Sequence, residues 1–212
     1  MLEHVPAWLG RLLQDRRAGH DQLVAADAEI RLGADTFELA SPAFAHGARL
    51  PIRFTADGEG VSPPLVWTDV PDGTVSLALI VEDPDAPAGK PLVHAILWDI
   101  PSDERRLAEG AILPDGAGGP GGDVGTNSYL REGWLPPDPP TGHGEHDYVF
   151  QLFALSRRVE LADSPGRGAF VKAIAGHVLG AAILIGTYSR GEPSTSDTEQ
   201  TLGAGIAGAA PA

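Results

Sequence analysis

Four apolar runs of strand type, divided by connections rich in proline and glycine, limit the fold of this chain more than any other feature. They are LPIRFT at 50–55, VSLALIVE at 75–82, LVHAILWDI at 92–100 and YVFQLFALS at 148–156. β-Branched and aromatic residues suit a pleated surface, and proline and glycine mark where each run must stop. Long connections without regular helical periods between the runs favour a mainly β protein, an antiparallel β-sandwich, over alternating β-α units.

Two segments carry helical spacing instead. Val5, Trp8, Leu9, Leu12 and Leu13 recur opposite Arg11, Asp15 and Arg16, which predicts an N-terminal amphipathic helix within residues 1–20. Such a stripe covers the chain's own body or, as its other use, joins two copies in a homodimer. Phe170, Val171, Ile174, Val178 and Ala181 predict a second, peripheral C-terminal helix over 167–181, weakened by Gly176 and Gly180. The ILIGTY that follows reads as one last strand. Residues 110–142 are dense in glycine and proline, and beyond Gly191 little can be buried. The expected organisation is a helical extension over 1–35, one domain over 36–190 and a disordered tail over 191–212.

Composition excludes several classes of function. The 212 residues contain no cysteine, which removes disulfides, thiolate metal sites and cysteine nucleophiles and suits a reducing, cytoplasmic setting. Lys and Arg number 15 against 29 Asp and Glu, and a net charge of -14 repels phosphate backbones, so no nucleic-acid partner is expected. No apolar run reaches the roughly 20 residues of a membrane span.

Chemistry-bearing residues gather in three places. Asp83-Pro84-Asp85-Ala86-Pro87 stands where the strongest strand run ends, and its prolines hold both aspartates in a stiff turn. Capping of that turn alone also accounts for either aspartate. His94 lies within the next run, where a period of two puts it on one face with Leu92, Ile96 and Trp98, and a hydrogen-bonded core histidine is the plainer reading. Pro139-Pro140-Thr141-Gly142-His143-Gly144-Glu145-His146-Asp147-Tyr148 leads into the last of the four runs and can deliver His146 at the strand's mouth. Together, a carboxylate, two imidazoles and a tyrosine at strand ends fit a pocket in which charged histidine donates to an anion.

The ordered combination of Asp83-Pro84-Asp85-x-Pro87, His94 and Pro-Pro-x-Gly-x-Gly-x-His ending at His146 resembles the phosphatidylethanolamine-binding proteins, in particular their bacterial Raf-kinase-inhibitor-like branch. Asp57-Gly58-Glu59-Gly60-Val61-Ser62-Pro63-Pro64-Leu65, Trp67 and Pro71-Asp72-Gly73-Thr74 extend the likeness, which runs from about 48 to 190. The resemblance implies a sandwich with peripheral helices and a shallow pocket for phosphate, acetate or a phospholipid head group. It implies that Asp83, His94 and His146 line that pocket, with Pro84, Pro140 and Tyr148 as walls. It also implies scaffolding or inhibition of a protein partner rather than catalysis, and no cofactor. Asp147 stands where the family usually has arginine, a carboxylate in place of a cation. Leu92-Val93 stands where an aromatic residue commonly precedes the strand histidine.

Three other readings have discriminating features. A hydrolase would use Asp83, His94 or His146 as acid and base, but Ser189 in Gly186-Thr187-Tyr188-Ser189-Arg190-Gly191 only approaches a Gly-x-Ser-x-Gly elbow. A metal at His143, Glu145 and His146 lacks the spacing of His-Glu-x-x-His. The glycine-rich run 116–122 lacks the Lys-Ser/Thr ending of a phosphate loop and reads as a connection. The expectation is thus a binder of a small anionic or phosphorylated ligand.

Overall fold

The structure, a computed structural model, describes residues 13, 15–28, 30, 37–114 and 122–190. Among the described residues nine strands form two sheets. β1 (Glu38–Ala40), β3 (Leu65–Thr68) and β6 (Arg106–Leu107) make a three-stranded sheet in the order β1-β3-β6. β2 (Ala48–Arg49), β4 (Ser76–Asp83), β5 (Leu92–Pro101), β7 (Asp123–Val124), β8 (His146–Leu155) and β9 (Val178–Tyr188) make a six-stranded sheet in the order β2-β9-β8-β4-β5-β7. All pairings are antiparallel except the short parallel contact of β2 with β9.

The sandwich follows from burial on both faces of the large sheet. Every residue of β4 is buried. Its Leu77, Leu79 and Val81 meet Tyr148, Phe150 and Leu152 of β8 and Leu39, Leu65 and Trp67 of the small sheet in the core between the sheets. Ala78 and Ile80 point the other way, joining Ile96, Trp98, Phe153 and the Phe170, Val171 and Ile174 of the single described α-helix of this region, α1 (Arg167–Ile174). Alternation along each strand thus feeds two apolar layers.

Two segments depart from the sequence expectation. LPIRFT is not a strand: Ile52–Phe54 forms a 3-10 turn after Pro51, and the Thr55 hydroxyl donates to the Ile52 carbonyl at 2.8 Å. The helix expected over 167–181 stops at Ile174. Gly176 takes φ 74°, a left-handed geometry that glycine adopts freely and that ends the helix, and Val178 and Ala181 go into β9, whose pairing with β8 offers a ladder in exchange.

Most of the expected N-terminal helix lies outside the described residues, as do the tail from 191 and residues 116–121 of the glycine-rich run. Helix does not continue to residue 20. The Ala18 and Gly19 amides donate to the Ala86 and Pro84 carbonyls at 3.1 and 2.8 Å, laying this segment along the Asp-Pro loop. Two 3-10 turns follow, His20–Gln22 and Val24–Ala26, and Val24 is fully buried in the outer apolar layer. Among the described residues no helix is long and apolar enough to cross a membrane.

Candidate functional site

Asp83 ends β4, and its carboxylate does two things at once. Oδ1 accepts the Asp85 amide at 2.8 Å, closing the turn that the prolines stiffen, while Oδ2 faces His146 Nδ1 at 2.8 Å. The turn-capping and the pocket readings of Asp83 therefore describe two oxygens of the same residue. Asp85 in turn accepts the Asp147 amide at 2.7 Å through Oδ2 and pairs with Arg17 at 2.5 Å through Oδ1.

His146 opens β8 opposite Tyr188. Its Nε2 lies 2.7 Å from His143 Nδ1, and His143 Nε2 lies 2.8 Å from the Leu13 carbonyl. Folding the His143 ring back onto a residue three positions later requires left-handed backbone on both sides, which Gly142 (φ 80°) and Gly144 (φ 104°) supply. Both imidazoles are about 1% exposed, so each ring nitrogen needs its partner. Burial, and then His146 beside it, hold His143 below the usual imidazole range.

His94 does not share a face with Ile96 and Trp98. Along β4–β5 Val81 pairs with Ala95 but Glu82 pairs with Val93, so His94 is the extra residue of a β-bulge. Val93, Ile96 and Trp98 keep to the outer layer, whereas His94 is turned toward the inner one, its ring 5.0 Å from Tyr148 edge-on and 6.0 Å from Trp134. A bulge re-aims a side chain in this way while the pairing continues on either side of it. His94 Nδ1 is 2.6 Å from the Leu135 carbonyl, and the Leu135 amide donates back to the His94 carbonyl at 2.8 Å. His94 Nε2 is buried without a partner, and so is the Tyr148 hydroxyl. Burial pushes His94 below the ordinary imidazole value, outweighing the opposing pull of Asp83.

Asp83, His94 and His146 border one cavity of about 50 Å³. A water needs on the order of 10–15 Å³ on this scale, so the space suits one small oxyanion or a few waters. Asp83, His94, His146 and Pro140 line it; Pro84 and Tyr148 are not among its lining residues, Tyr148 standing behind His94 instead. Tyr129 and Asp138 line it too, and sequence reasoning missed both. Asp138 is anchored by Arg190, which also grips Asp57 through Nε and Nη2 at 2.7 Å each. Burial opposes the charge on Arg190, but its bonds to Asp57 and Asp138 outweigh that and raise its pKa. Asp57 is held low by the same bond to Arg190, and accepts the Tyr188 hydroxyl at 2.8 Å. The Asp57-Gly58-Glu59-Gly60 motif was the available signal for this support.

The alternative sites gain no geometry. Ser189 is buried away from the cavity, where its hydroxyl accepts Arg49 at 3.1 Å. His143 and His146 direct nitrogens at each other, and Glu145 accepts the Thr187 hydroxyl at 3.1 Å, so they do not converge as metal ligands. His20, Asp85 and Asp147 do bring ligand atoms within 4.8 Å of one another, but Arg17 already neutralises Asp85.

Residues 40–189 match the family described as phosphatidylethanolamine-binding protein. A UPF0098 protein of Methanothermobacter thermautotrophicus is 43% identical over 154 residues, 72% of this chain and 99% of that protein. A Mycobacterium tuberculosis relative whose name includes the word lipoprotein is 38% identical over 155 residues, 73% of each chain. The crystal structure of Escherichia coli YbcL, described as a member of the mammalian PEBP family, superposes with a TM-score of 0.68 at 30% identity, covering 73% of this chain and 99% of YbcL. The bulged strand histidine, the Asp-Pro loop and the histidine loop thus sit on a known scaffold: the chain belongs to the phosphatidylethanolamine-binding protein family.

Proposed function

We propose that this protein binds a small anionic or phosphorylated ligand in the cavity bounded by Asp83, His94 and His146, and that it works as a binder, a scaffold or inhibitor of a partner protein, rather than as an enzyme. One observation carries the reading: His94 Nε2 is buried at the cavity with no protein partner. A buried polar atom left unsatisfied costs on the order of 1–3 kcal/mol, a cost that a ligand atom removes on binding. Apolar walls from Leu92, Leu135, Pro136 and Pro140 with a few convergent polar groups are the usual make-up of a small-molecule site. The hydrolase alternative would have to activate a water through Asp83, His94 or His146, since no Ser, Thr, Cys or Lys is among the lining residues.

Calorimetric titration of the full chain with inorganic phosphate tests the site. Binding near pH 6 that His94→Ala abolishes is the expected result; absence of uptake at that pH, or uptake indifferent to His94, refutes it. We place the protein in the cytoplasm, where a cysteine-free chain is at home. Recovery of the native protein in the membrane fraction would overturn that placement. Light scattering on the full chain tests the homodimer.

A further inference from the structure

We infer that His94 makes the cavity discriminate oxyanions by whether they carry a proton: around neutral pH its Nε2 accepts an O–H from phosphate, or from a phosphomonoester as its monoanion, and disfavours sulfate and phosphodiesters, which have none. This rests on the reading of the cavity given above and adds the chemistry of its occupant.

The donor and acceptor roles are fixed by the surroundings. A carbonyl oxygen only accepts, so the 2.6 Å contact to Leu135 requires the proton of a neutral His94 ring to sit on Nδ1. The return bond from the Leu135 amide to the His94 carbonyl, at 2.8 Å, pins that carbonyl in place. Nε2 is then a lone pair, buried without a protein partner on a ring that lines the cavity.

Among the groups facing His94 the carboxylates and imidazoles have no proton to spare, and the hydroxyls of Tyr129, in the lining, and of Tyr148, buried beside the ring without a partner, are the donors left for an anion's bare oxygens. Asp83 has Oδ1 filled by the Asp85 amide and Oδ2 by His146. His146 turns its other nitrogen to His143. Asp138 brings a second carboxylate to the lining, tied to Arg190. Trp134 and Tyr148 flank the ring at 6.0 and 5.0 Å. Burial disfavours the imidazolium more than Asp83 and Asp138 favour it, so the lone pair persists at neutral pH.

A lone pair beside carboxylates meets a proton-bearing oxygen with a hydrogen bond and a bare oxyanion with repulsion. Sites built around such a bond reject analogues that lack it by up to roughly 10⁴-fold when sealed, and an accessible site whose histidine can protonate gives up part of that margin. At lower pH His94 gains a proton, Nε2 becomes a donor, and sulfate is admitted together with one proton.

Calorimetry on the full chain with inorganic phosphate, sulfate and dimethyl phosphate, at about pH 7.5 and 5.5, decides the matter. We expect phosphate to bind at least about tenfold tighter than the other two at the higher pH. The gap should narrow at the lower pH and vanish in His94→Gln. Equal affinities at the higher pH, or a preference that survives His94→Gln, overturn the inference while leaving an anion site in place. Failure of all three ions to bind at either pH overturns the site itself and the inference with it. Nitrogen-15 spectra of the wild-type imidazoles test the claim without a variant, since a His94 proton on Nε2 at neutral pH contradicts it.

Discussion

His143 Nδ1 and His146 Nε2 face each other at 2.7 Å, and the partners beyond them dictate where the protons lie. The Leu13 carbonyl requires a proton on His143 Nε2, which leaves Nδ1 as acceptor. His146 must then donate through Nε2, while its Nδ1 shares a hydrogen bond with the Asp83 carboxylate. The three groups together hold one proton more than two neutral imidazoles and a carboxylate. Replacing His143 with alanine leaves the buried His146 Nε2–H without an acceptor and releases Leu13. We expect a loss of about 1–3 kcal/mol, read from urea unfolding; an unchanged midpoint would refute the relay.

Acid should weaken the ligand-free fold through His94. Its native pKa is lowered by burial, whereas in the unfolded chain it returns to about 6.5. As pH falls through that value the unfolded state takes up a proton that the native state refuses, so stability is complete above it and declines toward the native pKa. His143, shifted in the same direction, adds to the decline. Urea midpoints between about pH 7.5 and 5 should therefore fall, and His94→Gln should fall less steeply than wild type. Parallel slopes would show that His94 is not the group responsible.

The pattern of hydrophobic residues sufficed for the central strands because β4, β5 and β8 are buried and their neighbours agree with local preference. It misplaced His94, since a bulge is a matter of pairing between strands and leaves no mark within one of them. It misread Ile52–Phe54 for a related reason: Pro51 and the Thr55 hydroxyl set the turn, overriding the strand preference of isoleucine and phenylalanine. Asp83, His94 and His146 stood out as residues, yet the partnership of His143 with His146 and of Arg190 with Asp138 depends on loops meeting across long sequence separations.

A second buried charge supports the far side of the sheet. Glu82 is fully buried, with Oε1 facing Arg167 Nε at 2.6 Å and Oε2 accepting the Val24 amide at 2.9 Å and Gln151 at 2.7 Å. Removing the cation alone strands a carboxylate in the apolar layer. Arg167→Met is expected to cost about 3 kcal/mol, and the Glu82→Gln/Arg167→Met pair appreciably less than the sum of the single changes. Denaturant unfolding of the four proteins measures the coupling, and strict additivity would rule it out.

Asp147 offers the reverse case, a native residue that the fold tolerates at a cost. Its backbone amide serves Asp85 Oδ2, but burial, and next the Asp85 charge, raise its own carboxyl above the ordinary value of 3.8. A raised carboxyl means that the charged form is disfavoured in the fold, so stability is lost as pH rises through 3.8 to the native value and the whole cost is present at neutral pH. His20, 3.5 Å away and half exposed, offsets little of it. Asp147→Asn keeps the amide bond and removes the repulsion. It should raise stability at pH 7 by a few tenths of a kcal/mol, the scale of partly exposed charge pairs. Below about pH 3.8, where the carboxyl is protonated in both states, the gain should disappear. A gain that persists in acid would assign the effect to packing, and a loss at pH 7 would mean that the contact with His20 outweighs the repulsion from Asp85.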